Sequence, residues 1–206
     1  MKEEYMENTK ESILKAALSL FACKGYLGTS MSDIAAAVGL TKAALYKHYE
    51  GKQKILDSVV NRMRELDAAR ARAFDMPQGA AAGFAEEYAK APTEKIRAYS
   101  IAQFRHWTED EFSSDFRKML TLEQYRDADM AGLYQSCLAA GPLEYMTAVF
   151  RQMTNSDREA YGLALSFYGP MYLLYSVYDG ASDKAAVFAA LEEHIDTFMK
   201  QVKTKK

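Results

Sequence analysis

This chain of 206 residues has little of what covalent chemistry or an oxidising compartment demands. It holds only two cysteines, Cys23 and Cys137, far apart and without metal-ligand spacing, which excludes a disulfide framework. It has three histidines, none in a His-Glu-x-x-His pattern. There is no G-x-S-x-G and no glycine loop to cradle phosphates, so no enzyme and no cofactor is expected. His106 has Glu109 and Asp110 three and four residues on, but a solvated charge cluster explains that spacing without a metal. His194 is weaker still, because Glu193 and Asp196 do not share its helical face. Alternating strand patterns, internal repeats and low-complexity tracts are missing too. The first residues, MKEEYMENTKES, are charged and lack an apolar signal core, so a cytoplasmic location is expected. Tyr161 to Tyr178 runs without a charge, near the lower length limit of a membrane span. Gly162, Ser166, Gly169-Pro170 and the flanking Arg158, Glu159 and Asp179 argue instead for a buried helix, with no membrane partner.

Hydrophobic residues make up 49% and charged residues 26%, the balance of a soluble globular chain with a sizeable core. The formal charge of −2 does not itself point to nucleic acid, but its distribution does. Residues 1–62 carry 9 Lys and Arg against 7 Asp and Glu, leaving 17 against 21 for the rest. Within 41–54, Lys42, Lys47, Lys52 and Lys54 stand against Glu50 alone. A basic patch on an acidic body steers a duplex to one face.

That patch sits on the most informative segment, residues 30–56. Ser30 is placed to cap a helix, with Asp33 as its capping-box partner. Ile34, Ala35 and Val38 give the helix one apolar face, and Gly39 stops it in the left-handed conformation. Leu40 plugs the turn and Thr41 caps the next helix. Two helices around a tight glycine turn form the usual DNA-reading unit. With Leu45 at the centre of the buried face, Thr41 and Tyr49 fall within about 40° of it at roughly 100° per residue. Ala43, Ala44, Tyr46 and Lys47 then point outward, flanked by Lys42 and His48. Alanines permit close approach to a groove, while Lys and Tyr reach phosphates.

The run Thr29-Ser30-Met31-Ser32-Asp33-Ile34-Ala35-Ala36-Ala37-Val38-Gly39-Leu40-Thr41-Lys42-Ala43-Ala44-Leu45-Tyr46-Lys47-His48-Tyr49, then Lys52, resembles the N-terminal domain of the TetR family of transcriptional regulators. Phe21-Ala22-Cys23-Lys24-Gly25-Tyr26 matches the Phe-x-x-x-Gly-Tyr/Phe ending of that family's first helix. Ala44 departs from it, since Ser or Thr is common there. The resemblance implies an all-α protein: a three-helix helix-turn-helix DNA-binding domain over 1–52 and a helical ligand-binding and dimerisation domain over 53–206. It implies that Thr29 or Ser30 touches a phosphate, and that Thr41, Lys42, Ala43 and Tyr46 sit at the major groove. It also implies that His48 lies near the DNA backbone, and the outward face leads us to expect Lys47 at a phosphate. Lys52 holds a phosphate through its amide and the helix dipole.

The rest reads as helices over Thr9–Lys24, Lys52 to about Asp75, Thr93 to Trp107, Glu111 to Thr121, Tyr125 to Leu138 and Leu143 to Met153. Two long ones follow, from Ser156 to Asp179 and over 183–203. Thr93, Asn155 or Ser156, and Ser182 are expected caps, Pro142 suits a first turn, and 79–92 is a loop or short helix. Cys23 is expected in the core beside Phe21. The resemblance implies that the last two helices pair with a second copy to make a homodimer. Phe104, Trp107, Tyr134, Tyr168, Met171 and Tyr172 are candidates for the wall of a small-molecule effector site. Tyr168, Tyr172 and Tyr175 form one expected stripe. The expected function is a ligand-responsive regulator, a repressor released from a palindromic operator. The alternatives are an all-helical protein-interaction module or an unrecognised small-molecule enzyme.

Overall fold

The computed structural model describes residues 2–76, 85 and 91–204. Ten helices occur among them, and no strand. They are α1 (Lys2–Lys24), α2 (Met31–Ala37), α3 (Lys42–Tyr46), α4 (Lys52–Ala73), α5 (Thr93–Glu109), α6 (Glu111–Glu123), α7 (Ala128–Leu138), α8 (Ala140–Arg151), α9 (Asp157–Gly180) and α10 (Lys184–Thr204). The segment expected as a loop or short helix, 79–92, lies almost wholly outside the described residues. None of the described helices is long and apolar enough to cross a membrane.

The chain forms two compact units. The first is Met1–Asp67 with Glu111–Tyr134; the second is Ala68–Asp110 with Gln135–Lys206. The unit carrying the helix-turn-helix therefore reaches past residue 52 and takes in α6.

In the first unit, α1 buries Ile13, Leu14, Ala17, Leu18 and Phe21 and packs against α6 and α2. α6 answers with Phe116, Met119 and Leu120. Cys23 is exposed, not in the core. It stands two residues, roughly 200° of helical turn, beyond Phe21 and so faces away from the stripe.

In the second unit, α9 packs on α8, α10 and α5, and α10 packs on α5. Its buried residues are Ala160, Ala164, Phe167, Met171 and Tyr175. Pro170 lies inside α9, and its ring leaves the helix without one backbone donor. His194 of α10 places Nε2 2.9 Å from the Phe167 carbonyl oxygen, one turn before the proline. Arg97 ties α5 to α10, with Nε donating to Asp196 Oδ1 at 2.6 Å and Nη2 to Glu192 Oε2 at 2.8 Å.

Two expected caps and one expected helix start are corrected. Thr93 is the first residue of α5, behind Pro92, and no side chain caps that helix. α7 starts at Ala128, not Tyr125, because Asp127 Oδ1 accepts from the amides of Asp129 and Met130, both at 3.0 Å. Asp183, not Ser182, starts α10, accepting from the Ala186 amide at 3.1 Å. In each of the last two cases a carboxylate beside the helix dipole takes the place expected of another residue. Ser156 caps α9 as expected, accepting from the Glu159 amide at 3.2 Å.

Candidate nucleic-acid interface

α2 begins in a complete capping box. The Asp33 amide donates to Ser30 Oγ at 3.2 Å, and the Ser30 amide donates to Asp33 Oδ2 at 2.8 Å. The Ser30 hydroxyl, which donates to Asp33 Oδ2 at 2.5 Å, and then the Ser30 amide hold the Asp33 carboxyl below its ordinary range. The helix stops in a Schellman motif: Leu40 N–H reaches Ala35 O at 2.8 Å and Gly39 N–H reaches Ala36 O at 3.2 Å. Gly39 stands at φ +68°, where a side chain would strain the backbone. Thr41 then caps α3, its hydroxyl accepting from the Ala44 amide at 3.1 Å.

The wheel holds at Leu45, Tyr49, Ala43, Tyr46 and Lys47, but Thr41, placed near the buried centre, is exposed at the cap, and Ala44, placed outward, is half-buried. Leu45 and Tyr49 are buried. Thr41, Lys42, Ala43, Tyr46 and Lys47 are exposed, Tyr46 at 46%. Two lysines and a phenol thus frame a small-residue centre on the open side of a rigid turn. That arrangement suits a groove, because an alanine lets base edges come close while the longer side chains reach phosphates.

Three residues of the expected set are committed inside the protein. Thr29 is buried, and its hydroxyl donates to Gly25 O at 2.9 Å. Ser30 Oγ is exposed but engaged in the capping box. The Lys52 ammonium turns inward, donating to Tyr26 O at 2.5 Å and Thr29 O at 2.8 Å, and lies 4.3 Å from the Tyr26 ring centroid. Burial pulls the Lys52 pKa down, partly offset by the nearby Glu123 carboxylate. Only its amide, at the start of α4, stays available to an anion. His48 is half-buried between α3 and α4, with Nδ1 buried and unpartnered among the described residues.

Sequence reasoning missed Glu123 and Tyr26. The Tyr26 amide donates to Glu123 Oε1 at 3.0 Å, across 97 positions of sequence. The Tyr26 hydroxyl donates to Gln53 Oε1 at 2.9 Å. One signal was present: Glu123 sits three, four and seven residues after Leu120, Met119 and Phe116, a charge on an apolar stripe.

The expected effector residues scatter. Phe104 is fully buried and stacks on Tyr175, centroids 5.1 Å apart at 11°. Tyr178 and Phe188 meet Phe104 edge-on at 6.1 and 5.4 Å. Trp107 and Met171 are buried. Tyr168 spends its hydroxyl on Leu138 O at 2.7 Å. Tyr172 is 39% exposed whereas Tyr175 is buried, so the expected tyrosine stripe is not one wall. Tyr134 is buried in the other compact unit. Among the described residues, no group of three or more His, Cys, Asp or Glu side chains is placed to hold a metal.

A capped, glycine-stopped helix pair with a basic, small-residue face has the form of a helix-turn-helix unit. Residues 13–59 match the family described as bacterial regulatory proteins, tetR family. The segment is similar to the biofilm operon icaADBC HTH-type negative transcriptional regulator IcaR of Staphylococcus epidermidis. The two are 46% identical over 46 residues, 22% of this chain and 25% of the relative. The chain thus spans about a quarter of the length of the curated relatives it matches. Over nearly its whole length it resembles solved structures in fold. One is the SmeT–triclosan complex: TM-score 0.64, 18% identity, covering 94% of this chain and 91% of that one. Another is AibR in complex with isovaleryl coenzyme A and operator DNA: TM-score 0.62, 22% identity, covering 89% and 96%.

Proposed function

We propose that this chain is a homodimeric repressor that a small molecule releases from a palindromic operator. The observation that carries the reading is the outward face of α3, with Lys42, Ala43, Tyr46 and Lys47 exposed on a helix pinned from behind by Leu45 and Tyr49. Residues 1–52 are the reading domain. Thr41, Lys42, Ala43 and Tyr46 meet the major groove, while Lys47, His48, the Lys52 amide and Ser30 meet the backbone. Residues 53–206 bind the effector and the second copy.

Dimerisation is supported by α9, which exposes Tyr161, Leu165, Tyr172, Leu173 and Val177 at helical spacing. The neighbouring α10 exposes Ala185, Ala186, Ala189 and Ala190. An exposed apolar stripe of this length marks an interaction surface, and a self-complementary pair of helices closes a two-fold dimer. Two reading helices then enter successive major grooves about 34–36 Å apart. Repression is supported by the negative regulator that the reading head resembles. Effector binding is supported by the ligand-bound structures of this fold, and Phe104, Trp107, Tyr168, Met171 and Tyr172 are its candidate contacts. An effector weakens operator binding only through its differential affinity for the two states.

The test is selection of fragmented genomic DNA from the source on the purified chain, followed by binding across a salt series. The expected result is a palindromic site bound at nanomolar order, with affinity falling steeply as salt rises. Weak binding indifferent to sequence would sink the reading.

A further inference from the structure

Residues 25–30 join α1 to α2, and two opposite charges grip this joint. The anion is Glu123, fully buried on α6, whose Oε1 takes the Tyr26 amide at 3.0 Å. The cation is Lys52 at the head of α4, which takes the carbonyls of Tyr26 and Thr29. A third bond, from the Thr29 hydroxyl to Gly25 O, closes the loop on itself. The next residue, Ser30, caps α2, and α2 packs on α3. Any movement of the joint therefore moves the start of α2 and, with it, the reading helix.

Stability alone does not explain a carboxylate here. Glu123 Oε2 is buried with no hydrogen-bond partner among the described residues, and Arg126, its neighbour one turn on, reaches only Oε1, at 3.4 Å. Desolvating a charge costs several kcal/mol, and an apolar residue on this stripe would avoid it. What the charge provides is geometry: it selects one position for the Tyr26 amide.

We propose that Glu123, acting with Lys52, is a positioning residue for operator binding that fixes the 25–30 joint, and hence the placement of α3, without touching DNA. The proposal rests on the DNA-binding reading above.

The experiment uses the full chain and two duplexes. One is the palindrome recovered when the wild type selects from a random library; the other is a scrambled duplex of equal length. Glu123→Ala removes the acceptor and the charge. Glu123→Gln keeps an acceptor for Tyr26 and removes the charge. Lys52→Met removes the ammonium and keeps the backbone amide at the head of α4. Affinity for the palindrome is expected to fall at least tenfold in Glu123→Ala and Lys52→Met, and less in Glu123→Gln. Binding to the scrambled duplex stays within twofold, and the salt slope is unchanged, since no phosphate contact is lost. Amide exchange across 26–30 accelerates in the DNA-free variants.

Wild-type affinity for the palindrome in the Glu123 variants would overturn the proposal. So would equal losses on both duplexes, which would mark general damage. If Glu123→Ala does not fold, the other two variants decide by the same criteria. A wild type that recovers no palindrome would sink the DNA-binding reading and this proposal with it. A wild type that recovers one, with unaffected variants, sinks the proposal alone.

Discussion

A Cβ placed on Gly25 would collide with the Glu123 carboxylate oxygen, and Gly25 itself stands at φ +81°. Gly25→Ala meets both obstacles at once. The left-handed conformation costs a side chain roughly 1 kcal/mol, and the displaced carboxylate adds to that. Urea unfolding of the variant is expected to show a loss of about 1–3 kcal/mol. An unchanged midpoint and slope would contradict the tight joint.

Asp75 poses the opposite case. It ends α4 at φ +53° in a Schellman motif, with its amide reaching Arg72 O at 2.9 Å and the Met76 amide reaching Ala71 O at 2.8 Å. Glycine fits that position without strain. Lys95 keeps its bond to the Asp75 carbonyl when the side chain goes, and the exposed ion pair at 3.7 Å contributes little. Asp75→Gly is expected to stabilise the protein by about 0.5 kcal/mol, read as a higher melting temperature.

On the reading helix, Lys42→Ala and Tyr46→Ala are expected to weaken binding to a selected palindrome at least tenfold with helicity intact. Lys47→Ala, at the DNA backbone, lowers the salt slope by about 1, and Tyr46→Ala leaves it alone. Equal slopes in Lys47→Ala and Tyr46→Ala would remove Lys47 from the phosphate contacts.

Leu173 is 63% exposed on α9, on the same side as Leu165 and Val177. Leu173→Arg is expected to convert the dimer to a monomer in sedimentation at micromolar concentration. A dimer of undiminished affinity would move the interface elsewhere.

His106 gives a dependence on pH. Its side chain is buried, and desolvation, with repulsion from Arg70 and partial relief from Asp110, pulls its pKa from 6.5 to about 4. The unfolded chain takes up a proton near pH 6.5, and the folded chain does not until about 4. Stability is therefore full above the upper value, declines as pH falls between the two, and then levels. The slope cannot exceed about 1.4 kcal/mol per pH unit, and residual solvent access to the imidazole reduces it. In His106→Gln this part of the decline disappears, as urea midpoints at pH 7 and 5 should reveal. An identical decline in the variant would assign it to other groups.

The helix-turn-helix was legible because its determinants are local. Ser30, Asp33, Gly39 and Thr41 act within a few residues of where they stand, and Leu45 and Tyr49 follow from periodicity. The caps at Asp127 and Asp183 were hidden by equally good neighbours one or more residues away. Glu123 was hidden by distance along the chain, since its partner lies in another helix's exit loop. The aromatics of α9 resisted assignment for a different reason. Tyr172 and Tyr175 are chemically identical, and only the packing of α5, α8 and α10 decides which is buried.

α3 is five residues long. A helix so short has no standing of its own in water, where even a dozen residues are marginal. It exists because Thr41 starts it and because Leu45 and Tyr49 are sunk into the body behind it. The surface proposed to read sequence and the core that folds the head are thus opposite sides of one turn and a half of backbone. A genetic screen for lost operator recognition would return apolar interior positions alongside lysines and tyrosine, and some of those variants would still be folded, soluble and indifferent to sequence.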